Sequence, residues 1–196
     1  MINIKNLNIT IILTLLFIGC EKDTTSNVEP INDISGRSSW KIIQQEILDK
    51  SCAGCHSVGT SFGNQSELIL TADVAYENLI NREPHNQAAK DDGLELVGTE
   101  GLASLYKSYL WEKINAPDKD HFYADHPQYG EIMPLGMDFL TNGQLEFIRQ
   151  WIVAGAPETG VVADSLLLQD SVRFVDVLFE PCLLYTSDAA DEGLGV

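Results

Sequence analysis

Cysteine is scarce in this chain, with four in 196 residues. Only Cys52 and Cys55 stand close together. Cys20 and Cys182 are isolated, so no second Cys pair is present to complete a four-ligand zinc site. Basic residues are also few. Twelve Lys and Arg face 29 Asp and Glu, which gives a formal net charge of −17. That balance argues against nucleic acid as a partner and against a direct hold on anionic lipid headgroups. It favours a basic or weakly charged partner, although a solvated acidic surface is the commoner cause of such a charge. No internal repeat is present. The one apolar run near the start, Ile9 to Ile18, is too short to span a bilayer as a stable helix.

What is present begins with Cys52-Ala53-Gly54-Cys55-His56. Two thiols three positions apart, followed at once by an imidazole, match the attachment motif of c-type haem. The spacing lets both sulfurs form thioethers to vinyl groups of one porphyrin, while the His beneath the ring reaches the iron. Half of a zinc site, a dithiol redox centre and a disulfide are the competing readings. A thioredoxin-like dithiol needs a strand before it. Here Ile42, Ile43, Ile47 and Leu48, set among Gln, Glu, Asp and Lys, predict an amphipathic helix instead. The His has no role in any of the three alternatives.

The N-terminus reads as a targeting segment. Lys5 supplies the charged start and the apolar run ends in Phe17-Ile18-Gly19-Cys20. This resembles the lipobox of bacterial lipoproteins. The resemblance implies cleavage of residues 1–19 as a signal peptide and lipidation of Cys20, which would anchor the protein on the periplasmic or extracellular side of a bacterial membrane, the outer membrane in particular. Several acyl chains would hold it firmly, at about 0.8 kcal/mol per buried methylene. Residues 20–38 are polar, with Thr24, Thr25, Ser26, Asn27 and Pro30, and read as a lipidated flexible tether. With Cys52 and Cys55 committed to haem and Cys20 to lipid, no disulfide scaffold is implied. At the other end, Cys182 to Glu192 resembles a translated sequencing adaptor. Residues 182–196 are therefore expected to be artefact and the natural protein to continue past Pro181.

Four helical patterns carry the region between. They run from about Ser39 to Lys50, near Asp73 to Ile80, from Leu102 to Ile114 and from Asn142 to Ala154. Leu102, Leu105, Tyr109 and Leu110 share a face of the third. In the fourth, Thr141 with Gln144 suggests a capping box, and Leu145, Ile148, Trp151 and Ile152 recur at helical spacing. Gly155 suits a left-handed stop and Pro157 prevents resumption. Gly59 to Ser66, Pro84 to Gly98 and Asn115 to Gly130 read as loops. Asp91-Asp92-Gly93 reads as a turn rather than a calcium site. Val172, Phe174, Val177 and Phe179 look strand-like, so residues 161–181 are expected to be a linker or the start of a further domain.

A c-type iron takes a second axial ligand or keeps an open face. Candidates are Met133, Met137, His85, His121 and His126, with His121 and His126 better suited to a solvated surface. Glu131-Ile132-Met133-Pro134, then Leu140-Thr141, Ile148-Arg149-Gln150-Trp151-Ile152 and Gly155-Ala156-Pro157, resemble the C-terminal half of a c-type cytochrome domain found in large periplasmic and cell-surface proteins. Ser108 to Lys113 resembles the middle helix of that group. The resemblance covers roughly residues 39–160. It implies an all-α, cytochrome c-like helical domain with long loops, one covalent haem c, and iron held by His56 and Met133. The separation of His56 from Met133 exceeds that of a minimal cytochrome c, and the excess lies in the two loops after Pro84 and Asn115. The implied function is electron transfer to an unidentified redox protein. Its rivals are the haem-bearing front module of a larger truncated oxidoreductase or peroxidase, and a gas-binding haem sensor. As a carrier module the chain is not itself expected to be an enzyme.

Overall fold

The computed structural model describes residues 36–174. The expectations for the signal peptide, Cys20, most of the tether, Val177, Phe179 and the 182–196 tail lie outside those residues. The described chain is all-α, with isolated bridges but no strand. None of its helices is long and apolar enough to cross a membrane.

Helix α1 (residues 39–51) starts where the Ser38 hydroxyl accepts from the Lys41 amide at 3.2 Å. It runs as α over Ser39–Ile42, widens to π over Ile43–Leu48 and returns to α over Asp49–Ser51. Trp40, Ile42, Ile43, Ile47 and Leu48 are all buried, as the spacing predicts. Gln44 is buried among them and spends its amide on the Leu70 carbonyl at 3.0 Å and on Asp49 at 2.7 Å. Short helices follow: α2 (Ser61–Ser66), α3 (Ala75–Leu79) and α4 (Gln87–Asp91). α2 and α4 lie in segments expected to be loops. Each is started by a capping side chain, Thr60 accepting from Gly63 and Asn86 accepting from Ala89, both at 3.0 Å.

The expected helix from Leu102 to Ile114 is two helices, α5 (Leu102–Leu105) and α6 (Tyr109–Ile114). The break has a specific cause. Ser108 is fully buried; its hydroxyl donates to the Ser104 carbonyl at 2.6 Å and accepts from the Gly98 amide at 3.1 Å. The Tyr109 and Leu110 amides then donate to the carbonyls of Glu95 and Leu96 rather than back along a helix. Leu102, expected on the buried face, is exposed. The loop after Asn115 also contains helix, a 3₁₀ turn at Ala116–Asp118 and then α7 (Lys119–Asp125).

Helix α8 (Asn142–Val153) opens on the expected capping box. Thr141 Oγ1 accepts from the Gln144 amide at 3.1 Å, and Gln144 Oε1 accepts from the Thr141 amide at 2.9 Å. Its buried face, Leu145, Phe147, Ile148, Trp151 and Ile152, packs with α1 residues in the main core. Each such large side chain contributes about 1.5–3 kcal/mol on burial. Gly155 takes the left-handed conformation, at φ 89°. Beyond Gly160 the chain packs back on the domain. The Ser39 hydroxyl accepts from the amides of Val162 and Ala163, a 3₁₀ turn (Ser165–Gln169) lies against α8, and Arg173 makes an isolated antiparallel bridge to Thr141. A second, smaller core joins the two long connections: Ala89 and Leu94 from one, Phe122 and Tyr129 from the other, with Ile132.

A candidate cofactor cavity

The C-terminal end of α1 delivers Cys52 to His56. The Cys52 and Ala53 amides still donate to the Leu48 carbonyl, at 2.9 and 2.8 Å. The chain then coils on itself, with the Cys55 and His56 amides both donating to the Cys52 carbonyl at 3.1 and 3.0 Å. The Thr60 hydroxyl donates to the Cys55 carbonyl, and the Leu70 amide to the His56 carbonyl at 2.8 Å. The motif is thus held by backbone bonds on both sides, leaving its side chains free to face the adjoining space.

That space is a cavity of about 430 Å³, within the size range of cofactor sites. Cys52, Cys55 and His56 line it, and so do Met133 and Met137 from the connection before α8. Leu68, Leu70, Leu79, Leu96, Leu110 and Ile114 supply apolar wall. Cys55, Phe62, Leu135 and Met137 line it and are exposed, so it opens to the surface there.

The two thiols are free. Burial, with a smaller contribution from Cys55, pushes the Cys52 thiol up to about 12. A working dithiol needs the opposite direction, because the thiolate is the nucleophile. No group of three or more His, Cys, Asp or Glu side chains among the described residues is placed to hold a metal ion. The zinc reading of the Cys pair therefore has no further ligands here.

His56 is oriented by its Nδ1, which lies 3.3 Å from the Leu68 carbonyl and 3.2 Å from Ser66 Oγ. The Ser66 hydroxyl donates to the Phe62 carbonyl at 2.6 Å, so both neighbours of Nδ1 accept. This places the ring proton on Nδ1 and the free lone pair on Nε2. Burial lowers the imidazole's pKa, opposed in part by the Leu68 bond, and the nearby Lys113 ammonium lowers it further. The ring is held neutral, which is the form that binds metals.

Met133 is half-buried and packs on the main core. Its amide donates to the Lys113 carbonyl at 2.6 Å. Met137 is 53 % exposed at the cavity mouth. His85 also lines the cavity but is largely exposed and lies 3.5 Å from Glu67. His121 and His126 are elsewhere. His121 meets Asp125 at 2.8 Å on the surface, and His126 stacks on Tyr129 at 4.4 Å.

Sequence reasoning missed three wall residues, Tyr109, Lys113 and Tyr129. Tyr109 donates to the Tyr129 carbonyl at 2.8 Å, and Tyr129 donates to Asp92 at 2.7 Å. Asp92 thus serves the wall, beside a left-handed turn at Gly93. Lys113 falls on the buried stripe of α6, four residues after Tyr109. A lysine in that register was the available signal. Burial pushes its ammonium down to about 8, with Glu131 opposing.

No protein-family model matches the chain, and neither a curated protein nor a solved structure is similar to it at a meaningful level.

Proposed function

We propose that this protein carries one c-type haem and transfers single electrons to a separate redox protein. In this reading Cys52 and Cys55 hold the porphyrin through thioethers, and His56 and Met133 are the axial ligands of its iron. The fold around it is then cytochrome c-like. The observation that carries the reading is the shared cavity. Cys52, Cys55 and His56 of the Cys-x-x-Cys-His motif and the Met of the Met-Pro loop, far apart in sequence, line one space of cofactor size.

The residues suit such a group. Cys52 and Cys55 are free thiols at the cavity wall, as thioether formation requires. His56 offers Nε2 while Nδ1 is committed to acceptors, the usual arrangement of a ligating imidazole. Met133 offers an uncharged, polarizable sulfur that needs no deprotonation, and a Met ligand favours the reduced state relative to a second imidazole. The leucines of the wall exclude water and keep the local dielectric low. When bound, the haem supplies a one-electron iron couple. The exposed rim at Cys55, Phe62, Leu135 and Met137 is where an electron would cross to a partner. With Cys20 lipidated, the carrier would work tethered on the periplasmic or extracellular side of a bacterial membrane, the outer membrane in particular.

The test is ligation of the haem-loaded protein. Ferric wild type should show the weak near-infrared band of iron–sulfur ligation, lost in Met133→Ala and kept in Met137→Ala. Retention of the band in Met133→Ala removes Met133 from the site. A high-spin, water-ligated iron with rapid carbon monoxide binding in the wild type would replace electron transfer by the sensor or enzyme reading.

A further inference from the structure

Lys113 is 9 % exposed, in a wall that is otherwise mostly apolar. A buried ammonium carries a heavy desolvation cost, so what its donors reach is informative. Nζ donates to the Tyr129 carbonyl at 3.0 Å and to the Glu131 carbonyl. The rings of Tyr109 and Phe122 lie 5.7 and 5.3 Å from it and present their faces to the charge. The Lys113 backbone carbonyl accepts from Met133 at 2.6 Å. One residue therefore binds positions 129, 131 and 133, three alternate residues along one connection. Gly130, at φ 80°, turns this stretch close to the ammonium; a Cβ there would stand 3.8 Å from Nζ. Tyr123 adds a lesser hold, its hydroxyl meeting the Glu131 carboxylate at 2.9 Å and the Ile132 amide at 3.3 Å.

We propose that Lys113 is the positioning residue of the Met133 connection. Its ammonium clamps the carbonyls of Tyr129 and Glu131 and so sets how firmly the Met133 thioether is held at the cavity. A space-filling role alone would be met by Leu or Met at this register. The Tyr129 carbonyl is shared with the Tyr109 hydroxyl, whereas the Glu131 carbonyl takes its donor from the ammonium, which a Leu or Met would not supply. The consequence for Met133 as an iron ligand rests on the haem reading above. The clamp itself does not.

The test separates the two. In the full-length chain without haem, Lys113→Met should speed hydrogen exchange at the amides of 131–133 by about tenfold or more, the loss expected for one charge-assisted bond, while helix α8 stays protected. Lys113→Arg, which keeps a multiple donor, should restore most of the protection. In the haem-loaded chain, Lys113→Met should bind imidazole to ferric iron about tenfold more tightly than wild type, with a weakened near-infrared sulfur band. Unchanged exchange at 131–133 in Lys113→Met overturns the clamp, whatever the haem result. Changed exchange with unchanged imidazole affinity and band keeps the clamp and overturns its bearing on the ligand. If Lys113→Met does not fold, Lys113→Gln is measured in the same way, its amide uncharged and one atom shorter, so that the bonds to both carbonyls lose their charge assistance and reach. Equal exchange in Lys113→Gln and wild type again overturns the proposal.

Discussion

Trp40 in α1 stacks on Trp151 in α8 with ring centroids 5.3 Å apart. The contact joins the helix that delivers the Cys-x-x-Cys-His motif to the helix that closes the domain. Trp151 is fully buried, and its indole N–H donates to the Pro157 carbonyl at 2.9 Å. Trp151→Ala should cost about 3–5 kcal/mol by urea unfolding, from lost burial and a cavity. Trp151→Phe keeps most of the volume and loses the indole bond, so its cost should be smaller by at least about 1 kcal/mol. Equal costs would mean that the stack contributes little.

Gly143 lies in the first turn of α8, where alanine would ordinarily raise helix propensity by about 1 kcal/mol. Here a Cβ would overlap the Leu167 carbonyl oxygen and stand 2.8 Å from that of Asp170. Gly143→Ala should therefore destabilise the protein by about 1–3 kcal/mol, the range of overpacking. Proteolysis should also begin within 161–173 before α8 opens. A stabilised Gly143→Ala protein would show that the 3₁₀ turn yields freely.

Much of this architecture was legible because its signals are local. The Thr141–Gln144 box and the Leu145, Ile148, Trp151 and Ile152 register are read within α8 itself. The same holds for the apolar face of α1 and for the five-residue Cys motif. The break between α5 and α6 was not legible, because its causes are the buried Ser108 hydroxyl and backbone bonds to Glu95 and Leu96, contacts made across the chain. Helices α2 and α4 are too short and polar to show periodicity, and only the caps Thr60 and Asn86 announce them. Met133 was readable as a Met-Pro pair, whereas the clamp on its loop required knowing that Tyr129 and Glu131 turn their carbonyls toward Lys113.

The alkaline side of the stability curve should carry the signature of the cavity wall. Burial pushes the Tyr109 phenol up to about 12. The Tyr129 phenol is raised as well, by burial first and then by its bond to Asp92. Both remain protonated in the folded protein after the unfolded chain, at about 10, has begun to lose its protons. Their contribution is thus complete below pH about 10 and is lost as pH rises toward the folded values. The urea midpoint should fall between about pH 10 and 12, and less so in Tyr109→Phe. Phenolate absorbance from these two rings should appear only with unfolding. Phenolate absorbance in the folded protein that is lost in Tyr109→Phe or Tyr129→Phe would contradict the placement of that ring.

The central claim, a haem joined to Cys52 and Cys55, is tested most directly by mass spectrometry. The full chain is to be exported in a bacterial host that matures c-type haem proteins, and the tryptic peptide Ser51 to Arg82 isolated. The account predicts that this peptide carries one haem mass, has no alkylatable thiol, and loses the haem when Cys52 and Cys55 are both changed to Ala. A peptide of unmodified mass with two alkylatable thiols, from a host that loads other c-type proteins under the same conditions, would contradict it.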